Sequence, residues 1–158
     1  MKLIRFIIIS IIICSLVVLG ITSLLPNKVI VSRARELTIS DPVFNYYVKD
    51  VAHWSDWMED LRQLKKNNDS VFVVGTQTIR LVAQHANSVI VTWTALEQPP
   101  FTVQIEKVPL KEGVSVIHWS FEQQLHWYPW EKLQSLLNEK IIGYKMEMDL
   151  EHLQEKLQ

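Results

Sequence analysis

The chain has 158 residues, which is enough for one domain of ordinary size, and its formal net charge is −1. Lys2 and Arg5 are the only ionic side chains before Lys28, so the rest of the chain is net acidic, which argues against nucleic-acid binding through a basic face. The single cysteine, Cys14, lies in an apolar run near the N-terminus, so the remaining residues offer no disulfide and no thiol nucleophile.

The first element is that apolar run, which contains no charged residue from position 6 to position 27. Twenty apolar residues at about 1.5 Å each span a hydrocarbon layer of about 30 Å. A buried core helix and a cleaved signal peptide are the alternatives. The run is longer than the apolar region of a signal peptide, and no small-x-small cleavage site follows it. We therefore predict a single membrane-spanning helix over residues 6–25, within an anchor of residues 1–26.

The basic residues that flank this run predict its orientation. Lys2 and Arg5 precede it, whereas only Lys28 follows it closely. Positive charges favour the cytoplasmic side of a membrane-spanning helix. We expect a single-pass protein of the cell membrane with a cytoplasmic N-terminus, and with residues 28–158 outside the cytoplasm.

A strand and two short helices are predicted next. The segment "KVIVSRARELTIS" has apolar residues at alternate positions, which indicates a strand. Asp41 and Pro42 are suited to the start of a helix, and a second short helix begins near Val51. Spaced three residues apart, Trp54 and Trp57 share one face of that second helix.

About fifty residues with two-residue periodicity follow the polar stretch "KKNNDS". They contain "VFVVGTQTIRLVAQ", "SVIVTWTALE", "PPFTVQIEKV" and "GVSVIHWSFEQQL", and the connections between them are short, so neighbouring strands are expected to be antiparallel. Gly75 interrupts the first of these segments, either as a bulge in one long strand or as a turn between two short ones.

The last thirty residues predict one long helix, from about Pro129 to Leu157. Apolar residues at three- and four-residue spacing form a stripe along it: Trp130, Leu133, Leu137, Ile141, Tyr144 and Met148. We expect this stripe to face the sheet, with Leu137 and Ile141 buried. Gly143, inside the helix, permits a bend or a close approach to the backbone.

The order of elements and the segment "RELTISDPVFNYYVKDVAHWSDWM" resemble the polyketide cyclase/START-like (SRPBCC) superfamily, and in particular its small membrane-anchored bacterial members. The last helix, with a glycine near its middle, is also similar to theirs. The resemblance covers residues 27–158 and implies an α+β helix-grip fold, a curved antiparallel sheet that holds a long C-terminal helix. Since little room separates Trp57 from Val71, we expect a shortened sheet of about five to six strands.

In such a fold the sheet and the long helix enclose an apolar cavity, and the resemblance implies one here. Trp54 and Trp57 are interpreted first as core residues that close one end of the sheet. The expected ligand-binding residues are Trp54, Trp57, Trp93, Trp119, Leu133, Leu137, Ile141 and Tyr144. The group "HWYPW" at positions 126–130 either anchors the start of the last helix or provides Trp127 or Trp130 as a pocket rim or a membrane contact.

The sequence offers little evidence for catalysis. The five histidines show no metal-binding spacing, and neither H-E-x-x-H nor G-x-S-x-G occurs. The carboxylates Asp50, Asp56, Glu59 and Asp60 are explained by helix ends and solvated faces. We therefore predict no catalytic residue, metal or cofactor, and a membrane-tethered binding domain for an apolar small molecule or lipid. A cyclase/dehydratase-type enzyme with a hydrophobic substrate, or a structural or partner-binding domain without a ligand, are the alternatives.

Overall fold

The computed structural model describes residues 2–96, 98–111 and 113–158. Three α-helices lie at α1 (Lys2–Leu24), α2 (Asp41–Phe44) and α3 (Pro129–Lys156). Helix α2 continues into a π-helical turn, Asn45–Lys49, and two 3₁₀ turns follow at Val51–Asp56 and Glu59–Leu61. The strands are β1 (Lys28–Thr38), β2 (Lys65–Asn68), β3 (Val71–Val74), β4 (Gln77–Gln84), β5 (Ser88–Thr94), β6 (Phe101–Lys111) and β7 (Val114–Gln124).

Helix α1 is long and apolar enough to cross a membrane, by length and composition. The segment Leu3–Leu24 has 22 residues and a mean hydropathy of 2.8, and none of its most apolar window is buried against the rest of the protein. Pro26 follows the helix after one intervening residue. The predicted span, residues 6–25, overlaps this helix and extends one residue beyond its end.

The strands form one antiparallel sheet in the order β1-β7-β6-β5-β4-β3-β2. The first and last strands of the chain are therefore neighbours, with Lys28 opposite Gln124 and Thr38 opposite Val114. Seven strands are present where five to six were expected, because a short edge strand, β2, fits between the 3₁₀ turns and β3. Gly75, with φ of 57°, lies in the turn between β3 and β4, so the segment contains two short strands.

Trp54 and Trp57 lie in the core, as the first interpretation of them predicted. Both side chains are buried, and their rings meet edge to face with centroids 6.3 Å apart. The Trp54 indole N–H donates to the carbonyl oxygen of Val48, and that of Trp57 donates to the carbonyl oxygen of Tyr47, each at 2.8 Å. Both hydrogen bonds join residues 51–57 to the preceding π-helical turn, and the Trp57 ring packs against Trp119 of β7, so the pair connects the short helices to each other and to the sheet.

Helix α3 has two apolar stripes, and the one that faces the sheet is not the predicted one. Its inner stripe, which is in contact with the sheet, consists of Ile142, Met146, Leu150 and Leu153. Leu137 is 67% exposed and Ile141 57%, and Trp130, Leu133 and Tyr144 are exposed too. At about 100° per residue, this outer stripe lies on the opposite face of the helix. The expectation that the outer stripe faces the sheet, with Leu137 and Ile141 buried, is wrong.

Gly143 allows a strand side chain to cross α3. A Cβ atom at this position would lie 2.1 Å from Nη2 and 2.7 Å from Cζ of Arg33. The Arg33 guanidinium, which comes from β1, passes over the glycine and donates from Nε to Glu147 at 2.5 Å. Arg35 reaches the next turn and donates to Gln154 at 2.6 Å. The glycine therefore serves a close approach, and the two arginines on the inner face of β1 hold α3 across that strand.

Candidate ligand-binding cavity

A cavity of about 310 Å³ lies between the concave face of the sheet and the middle of α3. Its sheet wall consists of Trp93, Phe101, Val103, Trp119 and Phe121, and its helix wall of Ile142, Lys145, Met146 and Asp149. Met58, Asp60 and Leu61 close one side, and Gln77, Ala95, Gln98 and Gln123 complete the lining.

The sheet wall is aromatic because strand pairing brings the rings together. Trp93 of β5 is opposite Phe101 of β6, and Val103 is opposite Phe121 of β7. Trp93 and Phe101 stack with centroids 5.4 Å apart, and Phe101 contacts Phe121 at 4.6 Å. Side chains directly opposite each other, or diagonal across neighbouring strands, lie on one face of a sheet and within contact distance. The register therefore produces a continuous aromatic surface.

Most polar groups of the wall already have partners within the protein. The Trp93 indole N–H donates to Gln77 Oε1 at 2.7 Å, and Gln123 Nε2 donates to the carbonyl oxygen of Pro99 at 2.9 Å. The exception is Trp119: its indole N–H is buried and has no hydrogen-bond partner among the described residues. A buried donor without a partner costs about 1–3 kcal/mol. Trp119 is therefore a wall residue with a buried donor that lacks a partner among the described residues.

Charged groups gather where α3 meets the Glu59–Leu61 turn. Lys145 Nζ donates to Asp60 Oδ2 at 2.5 Å, and the Glu59 backbone N–H donates to Asp149 Oδ1 at 3.3 Å. The pKa of Asp149 is raised from 3.8 to about 6. Burial is the largest cause, the Glu59 hydrogen bond opposes it, and the nearby Asp60 carboxylate adds to the increase. Asp149 is thus a partly buried carboxyl group that titrates near neutral pH.

A second depression, an outer groove of about 540 Å³, lies on the other side of this charged group. It is lined by Glu59, Asp60, Lys140, Ile141, Tyr144, Lys145, Met148, Asp149 and His152. Because Asp60, Lys145 and Asp149 line both the cavity and the outer groove, the Asp60–Lys145 ion pair separates the two.

The predicted ligand-binding residues are divided between several places. Trp93 and Trp119 line the cavity, whereas Trp54 and Trp57 do not. Trp57 packs against Trp119 from the core with centroids 5.7 Å apart. Ile141 and Tyr144 line the outer groove, and the side chains of Leu133 and Leu137 line neither site.

Sequence reasoning missed several wall residues. Phe101 and Phe121 are on the same face of the sheet as Trp93 and Trp119. The alternation of residues along each strand could therefore have identified them as wall residues. Ile142 and Met146 were missed because the other stripe of α3 was chosen. Asp149 was not considered because its burial depends on the turn at Glu59, which is ninety residues away in sequence. Among the described residues, no three His, Cys, Asp or Glu side chains form a group that could hold a metal ion.

Comparison with solved structures identifies the fold. A START superfamily protein from Mycobacterium smegmatis is similar over 82% of this chain and 99% of its own, with a TM-score of 0.58 and 15% identity. XoxI from Bacillus cereus matches over 80% of this chain and 94% of its own, with a TM-score of 0.61 and 14% identity. CalU16 from Micromonospora echinospora matches over 80% and 82%, with a TM-score of 0.54 and 11% identity. No protein-family model and no curated protein matches the sequence. The α+β, START-like fold is therefore confirmed.

Proposed function

We propose that this chain is a membrane-tethered domain that binds an apolar small molecule or lipid without altering it. The observation that carries the proposal is the cavity between the sheet and α3, with its aromatic wall and the indole N–H of Trp119, for which the described residues offer no acceptor. Small-molecule sites are mostly apolar, with a few polar groups that orient the ligand. This cavity has that composition, and its volume lies at the lower end of the usual range of about 300–1,000 Å³.

The ligand is proposed to be mainly apolar with at least one oxygen atom. The rings of Trp93, Phe101 and Phe121 offer only apolar and π surface, so they favour a hydrocarbon or aromatic body. Trp119 offers a donor, so it favours a carbonyl, hydroxyl or carboxyl oxygen. Fatty acids, isoprenoid alcohols and aromatic polyketides share these two properties.

Membrane attachment is proposed through α1, with the folded domain outside the cytoplasm. The helix has the length and hydropathy for one span, and Lys2 and Arg5 precede it. Reporter fusions to the C-terminus test this orientation. A reporter that is active only outside the cytoplasm should be active, whereas strong activity of a cytoplasmic reporter would contradict the topology.

Ligand binding is tested by native mass spectrometry of the full chain, purified in mild detergent from its own membranes. A co-purifying apolar molecule is expected. The same preparation, stripped of lipid, is then titrated with fatty acids, isoprenoid alcohols and aromatic polyketides. A ligand at one hundred times its Kd stabilises the folded state by about 2.7 kcal/mol. An empty protein whose melting temperature none of these compounds changes would favour a structural or partner-binding role instead.

A matched pair of variants locates the binding site. Ala95 lines the cavity, so Ala95→Leu should reduce its volume and weaken ligand binding. Ala34 is exposed on the outer face of β1, so Ala34→Leu adds the same atoms away from the cavity and should leave binding unchanged. Equal affinities in both variants would place the ligand elsewhere.

An enzyme of the cyclase/dehydratase type is the second candidate, and Asp149 is the observation that favours it. A carboxyl group with a pKa of about 6 at the edge of an apolar cavity is suited to general acid–base catalysis. The test compares wild type with Asp149→Asn, which keeps an oxygen to accept the Glu59 hydrogen bond. Conversion of a bound ligand by wild type and not by the variant would support catalysis, whereas release of unchanged ligand by both supports simple binding.

A further inference from the structure

Three aromatic side chains, Trp127, Tyr128 and Trp130, form an exposed cluster at the start of α3, here called the aromatic patch. Trp127 is 71% exposed and Trp130 is 64% exposed. Tyr128 lies between them: its ring stacks on Trp130 with centroids 4.8 Å apart and contacts Trp127 at 5.1 Å. Since the rings cover one another and not the core, the patch contributes little to the stability of the domain and requires another explanation.

The patch lies beside the end of α1, and a buried lysine holds it there. Lys132 is 6% exposed, and its ammonium group donates to the carbonyl oxygens of Thr22 and Leu25, each at 3.1 Å. A cation is favourable at a helix C-terminus because carbonyl oxygens there lack intrahelical partners. The backbone N–H of Leu125 also donates to the carbonyl oxygen of Asn27 at 2.7 Å. The start of α3 is thus joined to the end of α1 from two sides.

Trp127 is level with the last two turns of α1, whereas Trp130 lies beside the middle of that helix. Pro129 and Trp130 share a groove with residues from Ser10 to Leu19, and Trp127 shares a neighbouring groove with Leu19, Thr22 and Ser23. Six residues separate Val18 from Leu24, which corresponds to about 9 Å of helix. The headgroup zone on each side of a bilayer is about 5–8 Å thick. If α1 spans the bilayer, Trp127 is at the boundary between lipid and water, and Trp130 is deeper, at the level of the acyl chains.

We infer that the aromatic patch inserts into the bilayer that α1 spans, with Trp127 at the headgroup boundary and Trp130 below it, so that the domain rests on the membrane surface. The inference depends on the proposed membrane anchoring and not on ligand binding. Trp and Tyr are enriched at this boundary because their rings are amphipathic. Glu131, which follows Trp130 in the sequence, accepts from the His126 backbone N–H at 2.9 Å and is mostly buried, so its carboxylate does not oppose insertion. A second copy of the chain is a weaker candidate, because it would have to displace lipid beside α1 to reach the patch.

The test measures tryptophan fluorescence of the full chain in lipid vesicles. The lipids carry bromine either near the headgroup end of the acyl chains or near the terminal methyl, and iodide probes access from water. Brominated lipid should quench part of the emission, with headgroup-end bromine acting on Trp127 and deeper bromine on Trp130, and iodide should quench it little. The double variant Trp127→Ser/Trp130→Ser should lose most of that bromine quenching and still fold, since both side chains are exposed. Trp93→Phe, which removes a tryptophan of the cavity, is the control and should retain it.

Each other outcome overturns the inference. Quenching by iodide and not by brominated lipid would place the patch in water, and quenching by neither would show that protein covers it. Resistance of the wild-type chain to extraction from vesicles by alkaline carbonate is measured in parallel. Release by carbonate would refute the membrane anchoring itself, whereas a resistant chain with an unquenched patch refutes the surface contact alone.

Discussion

Replacing the same residue type at two positions of α3 tests which of its stripes supports the fold. Leu150 is 1% exposed on the inner stripe, and Leu137 is 67% exposed on the outer stripe. A buried Leu→Ala substitution loses transfer free energy and leaves a cavity, which together cost about 2–5 kcal/mol. At Leu137 about one third of the side chain is buried and no cavity remains, so about 0.5 kcal/mol is expected. Because both positions are inside one helix, the difference in helix propensity cancels.

The free energy of unfolding is measured by urea titration of the full chain in detergent micelles, with the fluorescence of the buried tryptophans as the signal. Leu150→Ala should destabilise the domain by about 3 kcal/mol, which corresponds to a decrease in Tm of about 10 °C. Leu137→Ala, and even Leu137→Asp, should be near neutral. Equal losses at the two positions, or a larger loss at Leu137, would show that the orientation of α3 described above is incorrect.

Two further predictions concern charged groups. Because burial raises the pKa of Asp149 to about 6 from 3.8, the folded state holds this proton more tightly than the unfolded state, so stability should fall as pH rises from about 4 to 6 and level off above. Asp149→Asn should abolish this dependence of stability on pH, and it should add about 1 kcal/mol to the free energy of unfolding at neutral pH, after allowance for solvent screening of a partly exposed group. Melting curves of the variant from pH 4 to 8 that keep the wild-type dependence would contradict this. Asp41 pairs at 2.5 Å with Lys107, whose side chain is 8% exposed, so Asp41→Asn should cost about 1–3 kcal/mol in a urea titration. The exposed pair of Lys28 and Glu122 is the control, and loss of Glu122 should cost less than about 0.5 kcal/mol.

The sequence predicted the elements that have strong periodicity. The presence of β1 and of β3 to β7, the start of α3 at Pro129 and the core position of Trp54 and Trp57 follow from alternation, helix-start residues and aromatic spacing. Strand β2 could not be found in this way, because Lys65–Asn68 contains no apolar residue and all four of its residues are exposed. An exposed edge strand has no face that must be apolar, so it leaves no periodic signal.

The inner face of α3 could not be chosen from the sequence because the helix carries two apolar stripes. The outer stripe, which includes Trp130, Leu137 and Tyr144, contains the larger number of apolar residues. The orientation is decided by contacts with β1, where the Arg33 side chain requires the space at Gly143 and ion pairs with Glu147. Such contacts join residues more than a hundred positions apart. Periodicity within one helix contains no information about them.

The pairing of β1 with β7 has a consequence for how the protein is made. Strand β1 emerges immediately after α1, but its partner strand begins at Val114, and the helix that crosses it ends at Lys156. Bringing β1 and β7 together is slow, because the chain between them loses conformational entropy before the compensating contacts form. During synthesis, β1 therefore remains without its partner strand until β7 has been made. The apolar face of the nascent strand, residues 28–38, is exposed in that interval, which makes it the part of the domain most open to aggregation before folding is complete.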